Sequence, residues 1–421
     1  MADSVNTDPV PAGTSPAPIG TLHRIAKAFT YRDFRTLWAG AFTSTIGTWM
    51  QKVAQSWLVL KLTGSAFFLG LDDFLAQLPI LLFTLIGGVI ADRHDRRRLL
   101  IASQYVQMAA AFVLAALVFF DVVRIWHILA LSFVTGLAQA FGGPAYQSLI
   151  PSLVPKADLP NAIALNSIQF NLARVIGPLI AAVVLATWGT AACFGLNGLS
   201  FTVVIVALMS LHVAHTPPAT RTSLMEEMRG GLHYVKRQRM LVTLTVLAFI
   251  STFLALPLLT FLPIFAQNIF HREAGQYAVM LAFSGAGAVI GALVVAWLGK
   301  FRHMGLTLLS VQLIFGLLIV AFAWSRALWL SHLLLFFSGA ALITVFSLTA
   351  SLVQLIAPDH LRGRVVSIYM VAFRGGMPLG SLAGGYVASL TSAPLVLGVN
   401  GVLLSLVAIY FLINRHGLRE V

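Results

Sequence analysis

Twelve separate stretches of about 20 mostly apolar residues run along the chain, at roughly 36–60, 66–91, 98–120, 125–150, 160–187, 190–213, 239–266, 275–299, 304–325, 327–353, 361–391 and 393–414. A stretch of that length reads as a membrane span, because in hydrocarbon every backbone amide must be paired inside its own segment and a helix does this while crossing about 30 Å. The expectation is an all-α membrane protein with twelve transmembrane helices. Composition agrees, since 58% of the 421 residues are hydrophobic and 10% are charged, and no polar stretch is long enough for a separate soluble domain. Residues 1–30, with Pro9, Pro11, Pro16 and Pro18 among small and polar residues, read as a disordered cytosolic tail. No short apolar core precedes the first span, so no cleavable signal is expected. The single cysteine, Cys193, excludes an intramolecular disulfide.

The formal charge of +13 would suggest a nucleic-acid partner in a soluble protein. Its placement argues otherwise. An even number of spans puts both termini on one side, and with the N-terminus inside, 20 basic residues fall in cytosolic segments against four (Lys61, Arg124, Arg272 and Arg326) in outer loops. Lys52, Arg174 and Arg374 lie inside spans. The excess is a topology signal, so the reading is a multi-pass protein of the cell inner (plasma) membrane with cytosolic termini and no nucleic-acid partner. The longest connection, 214–238, separates bundles at 31–213 and 239–414, and a tail follows at 415–421. Within that linker Leu224, Met228, Leu232 and Val235 recur at helical spacing, as in an amphipathic helix on the inner membrane surface or a solvated linker helix.

Six spans plus six invite a search for a repeat. Gly136/Gly339, Ser148/Ser351, Leu149/Leu352 and Pro155/Pro358 match at an offset of 203, and Arg174/Arg374, Pro178/Pro378 and Leu179/Leu379 at 200. The intramembrane Arg-x-x-x-Pro-Leu thus occurs in corresponding helices of the two halves.

The loop after the second span reads Gly88-Val-Ile-Ala-Asp92-Arg93-His94-Asp95-Arg96-Arg97-Arg98. It resembles the loop signature of the major facilitator superfamily, with Asp95 where that pattern has Gly, and implies that Asp92 pairs with neighbouring guanidinium groups. The segments Asn171 to Pro178 and Pro358 to Pro378 are similar to the branch holding enterobactin exporters and macrolide-efflux relatives, and Gly177-Pro178 resembles a shortened antiporter signature. The resemblance implies two six-helix halves related by pseudo-two-fold symmetry, alternating access, and a pathway lined by the first, fourth, seventh and tenth helices. It does not supply a coupling acid in the first span, where this chain has Gly47-Thr48.

Of the fourteen acids only Asp72 and Asp73 lie within a span, so they are the candidate proton carriers. Lys52 is at matching depth to neutralise one of them. Adjacent residues point about 100° apart on a helix, and Asp73 is the cavity candidate because Gln77 follows at i+4. Arg174 and Arg374 must face protein, water or an anion, either anchoring carbonyls freed by the helix-bending Gly177-Pro178 and Pro378 or binding an anionic substrate, with matched roles in the two halves. Polar stripes Ser44/Thr48/Gln51/Gln55, Thr135/Gln139/Gly142/Tyr146 and Thr344/Ser347/Ser351/Gln354 mark candidate wet faces. No convergent catalytic set and no phosphate-cradling loop is present in the sequence. The reading is a secondary transporter without a cofactor, a monomeric proton-coupled exporter of a small amphipathic or anionic molecule, siderophore or drug-like. A lipid or lysophospholipid flippase is the alternative, and a polytopic membrane enzyme a distant third.

Overall fold

A computed structural model describes residues 26–212, 232–358 and 361–414. Twelve long helical segments follow one another: α1 (Arg32–Thr63), α2 (Ala66–Arg93), α3 (Arg96–Phe119), α4 (Ile125–Leu149), α5 (Leu159–Thr187), α6 (Gly189–Met209), α7 (Arg239–Ala255, continued in short helical pieces to Ile269), α8 (Ala274–Leu298), α9 (Met304–Trp324), α10 (Leu328–Ile356), α11 (Arg362–Leu390) and α12 (Ala393–Asn414). Among the described residues, eleven are long and apolar enough to cross a membrane. α1 is the exception. At 32 residues it is long enough, but Ser44, Thr48, Gln51, Lys52 and Gln55 interrupt its apolar run. The apolar pattern is thus weakest where the chain places its polar site. The linker helix expected before Arg239 lies mostly outside the described residues; Leu232–Arg237 is helical.

The packing has the two-fold character that the repeat implies. α2 packs on α4, α3 on α4 and α6, and α1 on α5 and α6; in the second half α8 packs on α10, α9 on α10 and α12, and α7 on α11 and α12. The halves meet through α2 with α11 and α5 with α8, pairs that exchange under the same two-fold. We call the end carrying Lys27–Thr30 and the α2–α3 turn the terminal end, and the opposite end, with the Gly64–Ser65 turn, the far end.

Interior prolines explain several of these contacts. A proline lacks the N–H that would bond the carbonyl four residues earlier, and in hydrocarbon that oxygen needs another neighbour. Pro144 frees the Ala140 carbonyl, Pro178 that of Arg174 and Pro257 that of Phe253. Each lies against a glycine of a neighbouring helix: a Cβ added at Gly87 would sit 2.3 Å from the Ala140 oxygen, at Gly285 3.1 Å from that of Arg174, and at Gly380 2.1 Å from that of Phe253. The glycine lets its Cα–H reach the orphaned oxygen. Backbones therefore approach closely at α2–α4, at α7–α11 and, between halves, at α5–α8.

Caps fix the terminal end. Asp95 is the N-cap of α3, accepting from the backbone N–H of Arg97 at 2.9 Å and Arg98 at 3.2 Å. Lys27, just before α1, pairs with Asp158 at 2.7 Å, and Tyr31 donates to the same carboxylate at 2.6 Å. The bond to Asp158 holds the Lys27 ammonium above its ordinary pKa. At the far end Gly64, at φ 60°, closes α1 in the left-handed conformation that a side chain would resist.

Candidate functional site

Two groups of intramembrane charges stand apart. The first lies about 10 Å below the far end, seven residues into α2. Asp72 and Asp73 diverge there, as adjacent helical residues must. Asp72 is 2% exposed and turns into its own half, accepting from Gln55 Nε2 of α1 at 2.9 Å on both oxygens and from the Ser132 hydroxyl of α4. Gln55 also donates to Ser132 at 2.9 Å, so Gln55, Ser132 and Asp72 form a closed ring.

Asp73 turns toward the other half. Its carboxylate pairs with Lys52 of α1 at 2.8 Å and accepts from the Ser381 hydroxyl of α11, also at 2.8 Å. Ser381 lies 3.1 Å from Thr260 in the α7 continuation. A carboxylate only accepts, so the single Ser381 proton goes to Asp73 and Thr260 donates to Ser381. A chain Lys52–Asp73–Ser381–Thr260 thus joins α1 and α2 to α11 and α7 across the two halves. Glycines let the backbones meet beside it: a Cβ added at Gly70 would be 2.1 Å from the Ser381 carbonyl oxygen, and one at Gly385 2.7 Å from that of Ala66.

The second group is a single side chain. Arg174 is 8% exposed near the middle of α5, its guanidinium carbon 5.6 Å from the centre of the Trp49 ring of α1. Among the described residues it makes no hydrogen bond or ion pair, and its Nε is buried without a partner. The carbonyl that Pro178 frees is its own, and it faces Gly285 rather than the guanidinium.

A family model described as transmembrane secretion effector, one of the major facilitator families, matches residues 26–420. The chain belongs to this family. The chain is 25% identical over 391 residues to a staphyloferrin A transporter of Staphylococcus aureus, covering 90% of this chain and 95% of that one, and 28% identical over 385 residues to the multidrug efflux pump Tap of Mycolicibacterium fortuitum, covering 88% and 93%. Among solved structures, a bacterial homologue of the human lysosomal transporter Spinster, inward-facing and occupied, superposes with a TM-score of 0.73 at 14% identity, over 93% of this chain and 98% of that one. The fold is that of the major facilitator transporters, and the protein is a multi-pass membrane transporter of a small molecule, not an enzyme.

Within the fold the candidates read from the sequence separate. Lys52, Asp72, Asp73 and Gln55 come together as one cluster. Gln51 is engaged beside it, accepting from Asn197 of α6 at 2.7 Å, and Gln77 is half-buried. Gln139 is exposed on α4, whereas Gly142 packs on Ser103 and Tyr146 donates to Asn166 at 2.6 Å, so most of that stripe is helix-to-helix contact rather than a wet face. Gln354 stands apart from the cluster. It lies in the last turn of α10 at the terminal end, where its carbonyl accepts from Arg362.

The arginines do not share matched surroundings either. Arg374 is exposed, two turns from Ser381 on the same face of α11, and has no Trp49 counterpart over it. Gly177 is where α5 meets α1, since a Cβ there would lie 2.5 Å from that of Trp49; Pro178 and Pro378 sit inside uninterrupted helices. The loop-motif arginines work on helix ends: Arg96 donates to the Ser148 carbonyl at 3.2 Å and Arg97 to that of Met209, where cations complement the C-terminal ends of α4 and α6. Gly88 faces open space, and the Asp92 and Arg93 side chains lie outside the described set. Sequence reasoning missed Ser132, Ser381 and Trp49. Ser381 lay within reach, as the one hydroxyl in the glycine-rich run from Gly375 to Gly385.

Proposed function

We propose that this chain is a monomeric, proton-coupled exporter in the plasma membrane, with the terminal end in the cytosol and an amphipathic, siderophore-like or drug-like substrate. Export is supported by the likeness to relatives such as the efflux pump Tap, and the cytosolic assignment by the 20-to-4 distribution of basic residues.

The observation that carries the coupling is the charge count of the far-end cluster: two carboxylates lie beside one ammonium, and one of them, Asp73, makes the cross-half link. An excess negative charge in low dielectric is costly, and a proton relieves it. With Asp73 charged, Lys52 and Ser381 hold the far end shut. A proton on Asp73 removes the ion pair and weakens the Ser381 bond, which permits opening. An empty, charged carrier therefore stays closed at the far end, and only a proton or a substrate unlocks it, the condition for exchanging one for the other. A link of about 1–3 kcal/mol shifts the two-state population by about 5–150-fold.

Uptake of a siderophore and macrolide panel into inside-out membrane vesicles tests this. Transport should require an acidic lumen, stop on adding a protonophore and be lost in the Asp72→Asn/Asp73→Asn double variant. Unchanged gradient-driven uptake in that variant refutes the coupling.

A further inference from the structure

Arg174 stands thirteen residues from Thr187 and fifteen from Leu159, about 20 Å from either end of α5. A guanidinium at that depth is costly when nothing neutralises it. Among the described residues no acid neutralises it, because the two acids within spans, Asp72 and Asp73, are engaged at the far end by Gln55, Ser132, Lys52 and Ser381. The Trp49 face meets part of the charge. Nε is buried and unpaired among the described residues, and a guanidinium has two parallel N–H groups to offer an incoming acceptor.

The surroundings are aromatic. Phe170, one turn before Arg174 on the same face, is exposed and lies 6.2 Å from Trp49, edge to face. Across the half-to-half contact, Gly285 of α8 abuts the Arg174 carbonyl and Val175, so movement of one half against the other passes directly by this group.

We propose that Arg174 is the headgroup site for a small amphipathic carboxylate, gripped by the guanidinium fork while its flat apolar body lies along Trp49 and Phe170. A carboxylate supplies the two parallel acceptors that a guanidinium edge fits. The assignment rests on the export reading and names its substrate class. The depth argues against a lipid headgroup, which would have to leave the interface by about 20 Å.

Equilibrium binding, with no pH gradient, separates failure of this site from failure of proton coupling. The full chain in nanodiscs of zwitterionic lipid is titrated with 2-hydroxybenzoate and with its uncharged amide, and ligand-induced thermal stabilisation is read beside calorimetry. The wild type should prefer the carboxylate by about tenfold or more, and Arg174→Gln should abolish that preference while the amide binds as before. Arg174→Lys keeps the charge, loses the fork, and should weaken carboxylate binding several-fold; it decides the matter alone if Arg174→Gln does not fold. Carboxylate affinity unchanged in either variant overturns the proposal. So does competition by phosphatidylglycerol nanodiscs, which would make this a lipid-headgroup site.

Discussion

The far-end cluster and Arg174 both put buried charge into a membrane span, and they are built in opposite ways. Around Asp72 and Asp73 the acceptors have donors: Lys52, Gln55, Ser132 and Ser381 come from three helices, α1, α4 and α11, of both halves. Around Arg174 there is an aromatic face and an unpaired Nε. A saturated site can be switched only by taking a charge away, which is what a proton does. An unsaturated one can be switched only by bringing a charge in, which is what an anionic substrate does. The proposed coupling site and the proposed cargo site thus differ in depth by about 10 Å.

The largest effect should come from emptying the saturated site. Asp73→Asn leaves Lys52 without its counter-ion and should cost about 1–4 kcal/mol of stability by thermal melting, between an exposed and a fully buried pair. Adding Lys52→Gln removes the orphaned charge and should recover most of that stability without recovering gradient-driven transport. If transport returns as well, the pair is structural and the contrast with Arg174 collapses.

A smaller effect follows from wedging the halves. Gly70→Ala puts a methyl group where the Ser381 carbonyl stands, and should disfavour far-end closure by about 1–3 kcal/mol, read as faster alkylation of a cysteine placed at Leu62. Gly88→Ala, where the added methyl meets nothing, is the matched control and should leave transport and alkylation unchanged. Equal responses would show that crowding at the far end does not set its opening.

The repeated arginines should give the smallest change, and an unequal one. Arg374→Lys, on an exposed face, should alter stability by about 0.5 kcal/mol or less. Arg174→Lys loses the planar contact with Trp49 and should cost about 0.5–2 kcal/mol. Matched losses would restore the symmetry that the sequence repeat suggested.

Most of the architecture was legible because spans announce themselves by length. The boundary of α7 was not, since Pro257 and Pro263 break it into short pieces that carry it on to Ile269. The Lys52–Asp73 pair could be read from depth alone: one lysine and two acids in spans that antiparallel helices bring to one level. The ring around Asp72 could not, because Ser132 is one hydroxyl among many and its direction depends on how α2 packs on α4. Gln55 was legible as a polar position on α1 but not as a donor to Asp72. The repeat misled about Arg374, because identical residues at matched positions share surroundings only if their neighbours repeat too. Across from Trp49 the second half does not supply a matching ring. The glycine docked on each of three proline-freed carbonyls was invisible for a related reason: the two residues of each pair lie on different helices.

The central claim is that the Asp73 charge holds the far end shut. Spin labels at Leu62 and Leu390, one in each half at that end and both exposed, report it directly through their distance distribution in nanodiscs. Acidification should populate a longer distance in the wild type, and Asp73→Asn should show that distance at neutral pH and no longer respond to acid. A distribution that is the same in both proteins at both pH values would contradict the account.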